Sequence, residues 1–135
     1  MPPLEGLEAE VDRIAWQTGF LLHLTARVNG DGGVYSTLAD ISSLWAAFLG
    51  GRIVSSELVA EMVRPRSDVP EVSKRSGLGF WLHASGAAVM LEGMDAGVSF
   101  RSVHDPSRST GHTVISNTTD GAWPLARYLD EVLLA

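Results

Sequence analysis

The stretch from Leu78 to Thr118 reads LGFWLHASGAAVMLEGMDAGVSFRSVHDPSRSTGHTVISNT. Four short runs within it, Leu78 to His83, Ala87 to Glu92, Val98 to His104 and Thr113 to Thr118, are rich in β-branched and aromatic residues. Between them lie Ser85-Gly86, Gly93 to Gly97 and Asp105 to Gly111, where glycine, proline and short polar side chains favour turns. That spacing predicts an antiparallel meander of three to four strands.

The sequence on either side predicts helices. Downstream, Asp120 precedes a closing helix that tolerates Pro124 in its first turn, with Leu125, Tyr128, Leu129, Val132 and Leu133 at helical spacing. Laid on one face of the sheet, this stripe gives an α+β layer arrangement. Upstream, Thr37 and Asp40 form a helix start, the hydroxyl capping free backbone donors and the carboxylate standing near the positive end of the helix. The helix is expected to bury Ile41, Leu44, Trp45 and Phe48 and to end at Gly50-Gly51. Ser55 or Ser56 opens a second, shorter helix carrying Leu58, Val59 and Met62, which Pro65 stops. Ser67 to Ser76 is polar, contains Pro70, and reads as a flexible loop. Nearer the start, Leu4, Leu7, Val11 and Ile14 predict an amphipathic helix, and Phe20 to Val28 a loop with a short strand. The chain thus divides into an N-terminal helix and loop, residues 1–29, and a larger part, residues 30–135.

Composition narrows the function classes. A chain of 135 residues, 45% hydrophobic and 19% charged, is a globular sequence of ordinary domain size. The net charge of -6, with a single lysine, Lys74, leaves no basic stripe to follow a phosphate backbone, so nucleic acid is not an expected partner. The absence of cysteine removes thiol nucleophiles and zinc-thiolate sites and leaves the compartment open. No run approaches the roughly 20 apolar residues that span a bilayer, so neither a membrane segment nor a signal peptide is expected.

The order of these segments resembles the C-terminal portion of beta-lactamase-related serine hydrolases, the family of serine beta-lactamases and penicillin-binding proteins. Gly33-Val34-Tyr35-Ser36-Thr37-Leu38-Ala39-Asp40 and the helix after it look like a recurrent segment there, and Gly51-Arg52-Ile53-Val54-Ser55 looks like the turn that follows. Gly77-Leu78-Gly79-Phe80-Trp81-Leu82 resembles the strand before the family's third catalytic motif. Gly97-Val98-Ser99-Phe100 and Val114-Ile115-Ser116-Asn117 resemble later strands, and Trp123-Pro124-Leu125-Ala126-Arg127 the final helix.

The resemblance implies a partial beta-lactamase-like fold and a chemistry this chain does not carry alone. The family's first motif is a serine three residues before a lysine, so that the amine activates the hydroxyl. Here Lys74 follows Glu71. The second motif, tyrosine or serine with asparagine two residues on, meets Thr37 after Tyr35 and Asp130 after Tyr128. The third, a cation, a small residue and glycine, falls by its place in the order on Leu91-Glu92-Gly93, where only the glycine remains. No catalytic residue is therefore assigned, Asp95 and Trp81 are expected near the cleft, and no cofactor or metal is implied. The resemblance also implies that the family's first strand would come from outside the chain. The strand Thr113 to Thr118 should then offer an edge to a second copy or to an N-terminal half.

Sharper readings stand beside these. Glu92 and Asp95 could pair for acid-base work, against the plainer expectation of two solvated loop carboxylates. His83, His104 and His112 could meet a metal, against ordinary surface imidazoles. Ser99, His112 and Asp95 could form a triad, but no nucleophile elbow accompanies them. Ser109-Thr110-Gly111-His112 and Lys74-Arg75-Ser76-Gly77 come near the third motif and read as turn chemistry. Trp16, Trp45, Trp81 and Trp123 read as core, with Trp81 the one most worth testing as a ligand contact.

Overall fold

The computed structural model describes residues 33–134, so the expectations for Leu4 to Ile14, Trp16 and Phe20 to Val28 lie outside the described residues. Helix α1 (Leu38–Leu49) starts where the sequence places it. Thr37 Oγ1 accepts from Asp40 N at 3.2 Å and Asp40 Oδ2 accepts from Thr37 N at 3.1 Å, a reciprocal capping box. Gly51, at φ +67°, turns the chain into α2 (Ser56–Met62), capped by Ser55. Ile41, Trp45, Phe48 and Val59 are buried, whereas Leu44 stays exposed, contrary to expectation, and Leu58 is exposed as well. The buried set spans one narrow side of each helix, and these two leucines stand off it.

Among the described residues the sheet is antiparallel and has six strands in sequence order: β1 (Ser67–Val69), β2 (Lys74–Ser76), β3 (Trp81–His83), β4 (Val89–Asp95), β5 (Val98–Asp105) and β6 (Thr110–Ser116). That is two more than the upper count predicted for the meander, because the supposed loop at Ser67 to Ser76 is a hairpin. Pro70 opens a single 3-10 turn, Ser73 takes φ +53°, and the Ser67 and Ser76 hydroxyls meet at 2.7 Å across the strands. Its polar side chains give no apolar alternation, which is why the sequence hides it. Two boundaries also move. Gly93 pairs with Phe100 inside β4, and the turn is at Ala96 and Gly97, with Gly97 at φ +78°. The last strand ends at Ser116, whose hydroxyl accepts from Thr118 N at 3.2 Å.

Alternation along the strands sorts side chains to two faces. Leu82, Val89, Leu91, Phe100, Ser102 and His104 share the face on which α1 packs. There Trp45 Nε1 donates to the Ser102 hydroxyl at 2.7 Å, which lies 2.7 Å from the Thr113 hydroxyl, so the buried indole nitrogen is satisfied. Trp81, Met90, Glu92, Arg101, Val103, His112 and Val114 share the opposite face, covered by α3 (Ala122–Leu133).

Helix α3 keeps only Leu129 and Leu133 of the expected stripe, each partly buried. Ala122 and Ala126 are its buried residues, with Leu129 partly buried beside them against Val114, while Leu125, Tyr128 and Val132 are exposed. Alanines let the helix approach the sheet closely, so the larger apolar side chains are left to the outside.

Candidate functional site

The triplet Leu91-Glu92-Gly93 lies at the middle of β4, and alternation sends its two side chains apart. Leu91 faces α1 and packs against the cluster of Trp45, Phe48 and Val89. With Leu44, Trp45, Phe48, Ile53, Val54, Met62 and Phe80 it lines an apolar pocket of about 140 Å³. Gly93 has open space where a Cβ would stand, so packing does not require a glycine there.

Glu92 points the other way, into a chain of charges beneath α3. One carboxylate oxygen accepts from Lys74 Nζ of β2, and Arg101 of β5 donates to the other at 2.9 Å. Arg101 Nη1 continues to Asp130 Oδ2 of α3 at 2.7 Å, and Asp130 Oδ1 lies 3.0 Å from His112 Nε2 of β6, off the line of a good hydrogen bond. The Glu92 side chain is 18% exposed and that of His112 6%. Trp81 and Trp123 flank the chain, with Lys74 Nζ 5.4 Å from the first ring centre and the Arg101 guanidinium 5.6 Å from the second. Five charged or titratable groups from four strands and the last helix thus meet on the sheet face beneath α3.

Burial pushes the Asp130 carboxyl up, but the His112 contact and the Arg101 guanidinium outweigh it and hold the group below the ordinary carboxylate range. A lowered carboxyl stabilises the fold at pH values above its unfolded value, about 3.9, and that contribution is lost as pH falls through the folded value. Thermal unfolding should therefore show a stability loss below about pH 4. The variant Asp130→Asn should start less stable at neutral pH and lose less on acidification. Equal acid losses in the two proteins would contradict this assignment.

The other candidates do not converge. Asp95 ends β4 on the Leu91 face and accepts from Ala96 N at 2.7 Å, whereas Glu92 is on the opposite face in the ion chain. The two are neither an acid-base pair nor a solvated loop pair. Trp81 is likewise on the face away from Leu91, so it does not line the pocket there. Ser99 is fully buried, donating to Thr118 O at 2.7 Å and accepting from Ala122 N at 3.0 Å, so it anchors the start of α3 and offers no nucleophile. His104 stacks on Trp45 at 5.8 Å, His112 lies under α3, and His83 Nδ1 accepts from Gly86 N at 2.8 Å. His112 is thus a buried group, not a surface one. Of the near-motif sequences, Lys74-Arg75-Ser76 forms β2, and Gly77 after it passes so close that a Cβ would meet Met62 O at 2.3 Å. Ser109, at φ +51°, turns the chain into β6.

Sequence reasoning missed the ion chain altogether. Its one available signal was Lys74, a lone lysine assigned to a solvated loop.

No protein-family model and no curated protein sequence matches the chain. Among solved structures, it is similar to a penicillin binding protein from Bacillus halodurans, with a TM-score of 0.69 and 24% identity over 76% of the chain. The match covers 32% of that protein, so the chain spans about a third of its length. What the two share is a fold: an antiparallel sheet with helices packed on it and a closing C-terminal helix, of the penicillin-binding-protein-like kind.

Proposed function

We propose that this chain is the C-terminal sheet-and-helix portion of a beta-lactamase-related serine hydrolase fold and that it does not turn over substrate by itself. The observation that carries this reading is the fate of the third-motif position. A substrate carboxylate would need a cation on the cleft strand, and β4 offers the aliphatic Leu91, packed against Trp45 and Phe48, and Glu92, already committed to Lys74 and Arg101. The only lysine is Lys74, and its amine is held by that carboxylate, 18 residues away in sequence. A hydroxyl activated by a neighbouring amine therefore has no counterpart among the described residues. The purified chain should hydrolyse neither a chromogenic beta-lactam nor a short-chain ester, and an active-site serine probe should leave it unlabelled. Stoichiometric labelling of a serine would overturn the proposal.

A second reading, a non-catalytic binding module built on the same fold, is favoured by the pocket beside Leu91. Its lining is apolar, and its volume of about 140 Å³ suits one small ring rather than a charged substrate. Small aromatic ligands that raise the unfolding temperature without any reaction, and that lose the effect in Leu91→Ala, would favour this reading.

A further inference from the structure

We propose that the cavity between the end of α2 and the turn from β3 to β4 binds a small monocarboxylate with an apolar tail, at a site apart from Leu91-Glu92-Gly93. Its volume of about 580 Å³ is of the size that holds a small organic molecule. Val63, Pro65, Leu82, Ala88 and Pro106 give it apolar walls. Pro65, Ser85, Ala87 and Pro106 are exposed, so its mouth is at the surface.

Arg75 is the one charged side chain on this lining. It pairs with Leu82 across β2 and β3, which turns both to the α1 face of the sheet. There Arg75 Nε donates to His83 O and Nη2 to Gly86 O, both at 2.9 Å. These carbonyls fix the guanidinium without neutralising it. Among the described residues no carboxylate pairs with Arg75, whereas Arg64, Arg66, Arg101 and Arg108 each reach an Asp or Glu. A half-buried cation beside apolar walls gains most from an anion that brings apolar surface of its own.

The surroundings narrow the anion. The Ser85 and Gly86 amides both donate to His83 Nδ1, at 3.2 and 2.8 Å, so they are spent within the turn. Asp105, next to Pro106, is buried and accepts from Ser107 N and Oγ in its own turn. Arg75 thus supplies the only positive charge on the lining, which balances a carboxylate but not the two charges of a phosphate monoester. Three of its five N–H groups remain, both of those on Nη1 among them, and two parallel donors match the two oxygens of a carboxylate. The net charge of -6 repels anions from the chain at large, so a preference for a carboxylate over its neutral analogue has to arise locally.

Titration of the intact, isotope-labelled chain with hexanoate, hexanol and hexylamine, read by amide chemical shifts, tests this. Hexanoate should give saturable shifts at Val63, Arg75 and Ser85 to Ala88, with hexanol about tenfold weaker and hexylamine without a saturable response. Arg75→Gln should bring hexanoate down to the level of hexanol. Because Arg75 also holds the turn, Ala87→Trp serves as a second variant: it keeps the guanidinium and its two carbonyl bonds, and its bulk at the mouth should weaken hexanoate about tenfold. Hexanoate that binds the parent chain no better than hexanol, or that shifts only residues elsewhere, overturns the proposal whether or not Arg75→Gln folds. So does an advantage over hexanol that survives in a folded Arg75→Gln, or hexanoate binding indifferent to Ala87→Trp.

Discussion

Arg101→Ala is expected to cost about 3–5 kcal/mol of folding stability, the range seen when one partner is removed from a buried ion pair. The guanidinium is the hub of the ion chain: it donates to Glu92 on β4 and to Asp130 on α3, and both carboxylates are mostly shielded from water. Removing it leaves two partly buried anions whose remaining neighbours are Lys74 and His112. It also uncouples the last helix from the middle of the sheet and strips a cation from the face of Trp123. In a domain whose total stability is on the order of 5–15 kcal/mol, such a loss should lower Tm by more than about 10 °C. Arg101→Lys should recover only part of it, because a single ammonium cannot hold two carboxylates in the planar fork geometry. A loss below about 1 kcal/mol for Arg101→Ala would mean that the chain of charges behaves like exposed surface pairs.

Much of the fold was legible where local chemistry decides it. Thr37 and Asp40 declared a helix start through a spacing that only a capping box exploits, and Gly51 marked the left-handed turn after the helix. The runs that became β3 to β6 announced themselves by β-branched and aromatic content. The unread parts depend on pairing between distant segments. Lys74 and Arg75 looked like loop residues because a short polar strand has no apolar alternation, and only register with β1 and β3 makes them a strand. Glu92 lies opposite Arg101 in the ladder, a relation that follows from where the hairpin turns, and the turn was drawn too wide, from Gly93 instead of Ala96. On α3 the hydrophobic pattern named the larger side chains as the buried ones. Close approach to the sheet instead selected Ala122 and Ala126 and left Leu125, Tyr128 and Val132 outside. The candidate site followed the same division. The order of segments singled out Leu91-Glu92-Gly93 but did not tell that its two side chains serve opposite faces of the sheet.

That division gives the second large effect, expected on rewriting the triplet toward the family's pattern with Leu91→Lys and Glu92→Thr. The lysine introduced on β4 would enter an apolar pocket, where its long stem could reach solvent past the exposed Ile53 and so limit the cost. Losing Glu92 has no such escape, because Lys74 and Arg101 both donate to it and would be left as neighbouring cations with Asp130 as the one remaining carboxylate in the chain of charges. The Glu92 change should account for most of a combined loss of about 3–5 kcal/mol. Glu92→Thr alone should therefore be nearly as harmful as the pair, and Leu91→Lys alone much milder.

Under the proposed reading, Leu91-Glu92-Gly93 answers to the family's third motif, and Glu92 there holds the fold together. Urea unfolding of Leu91→Lys with Glu92→Thr, compared with the parent chain and followed by exposure to a chromogenic beta-lactam, tests it most directly. The account predicts a midpoint far below the parent's, with no acylation or hydrolysis by either protein. A variant as stable as the parent that becomes acylated would contradict it.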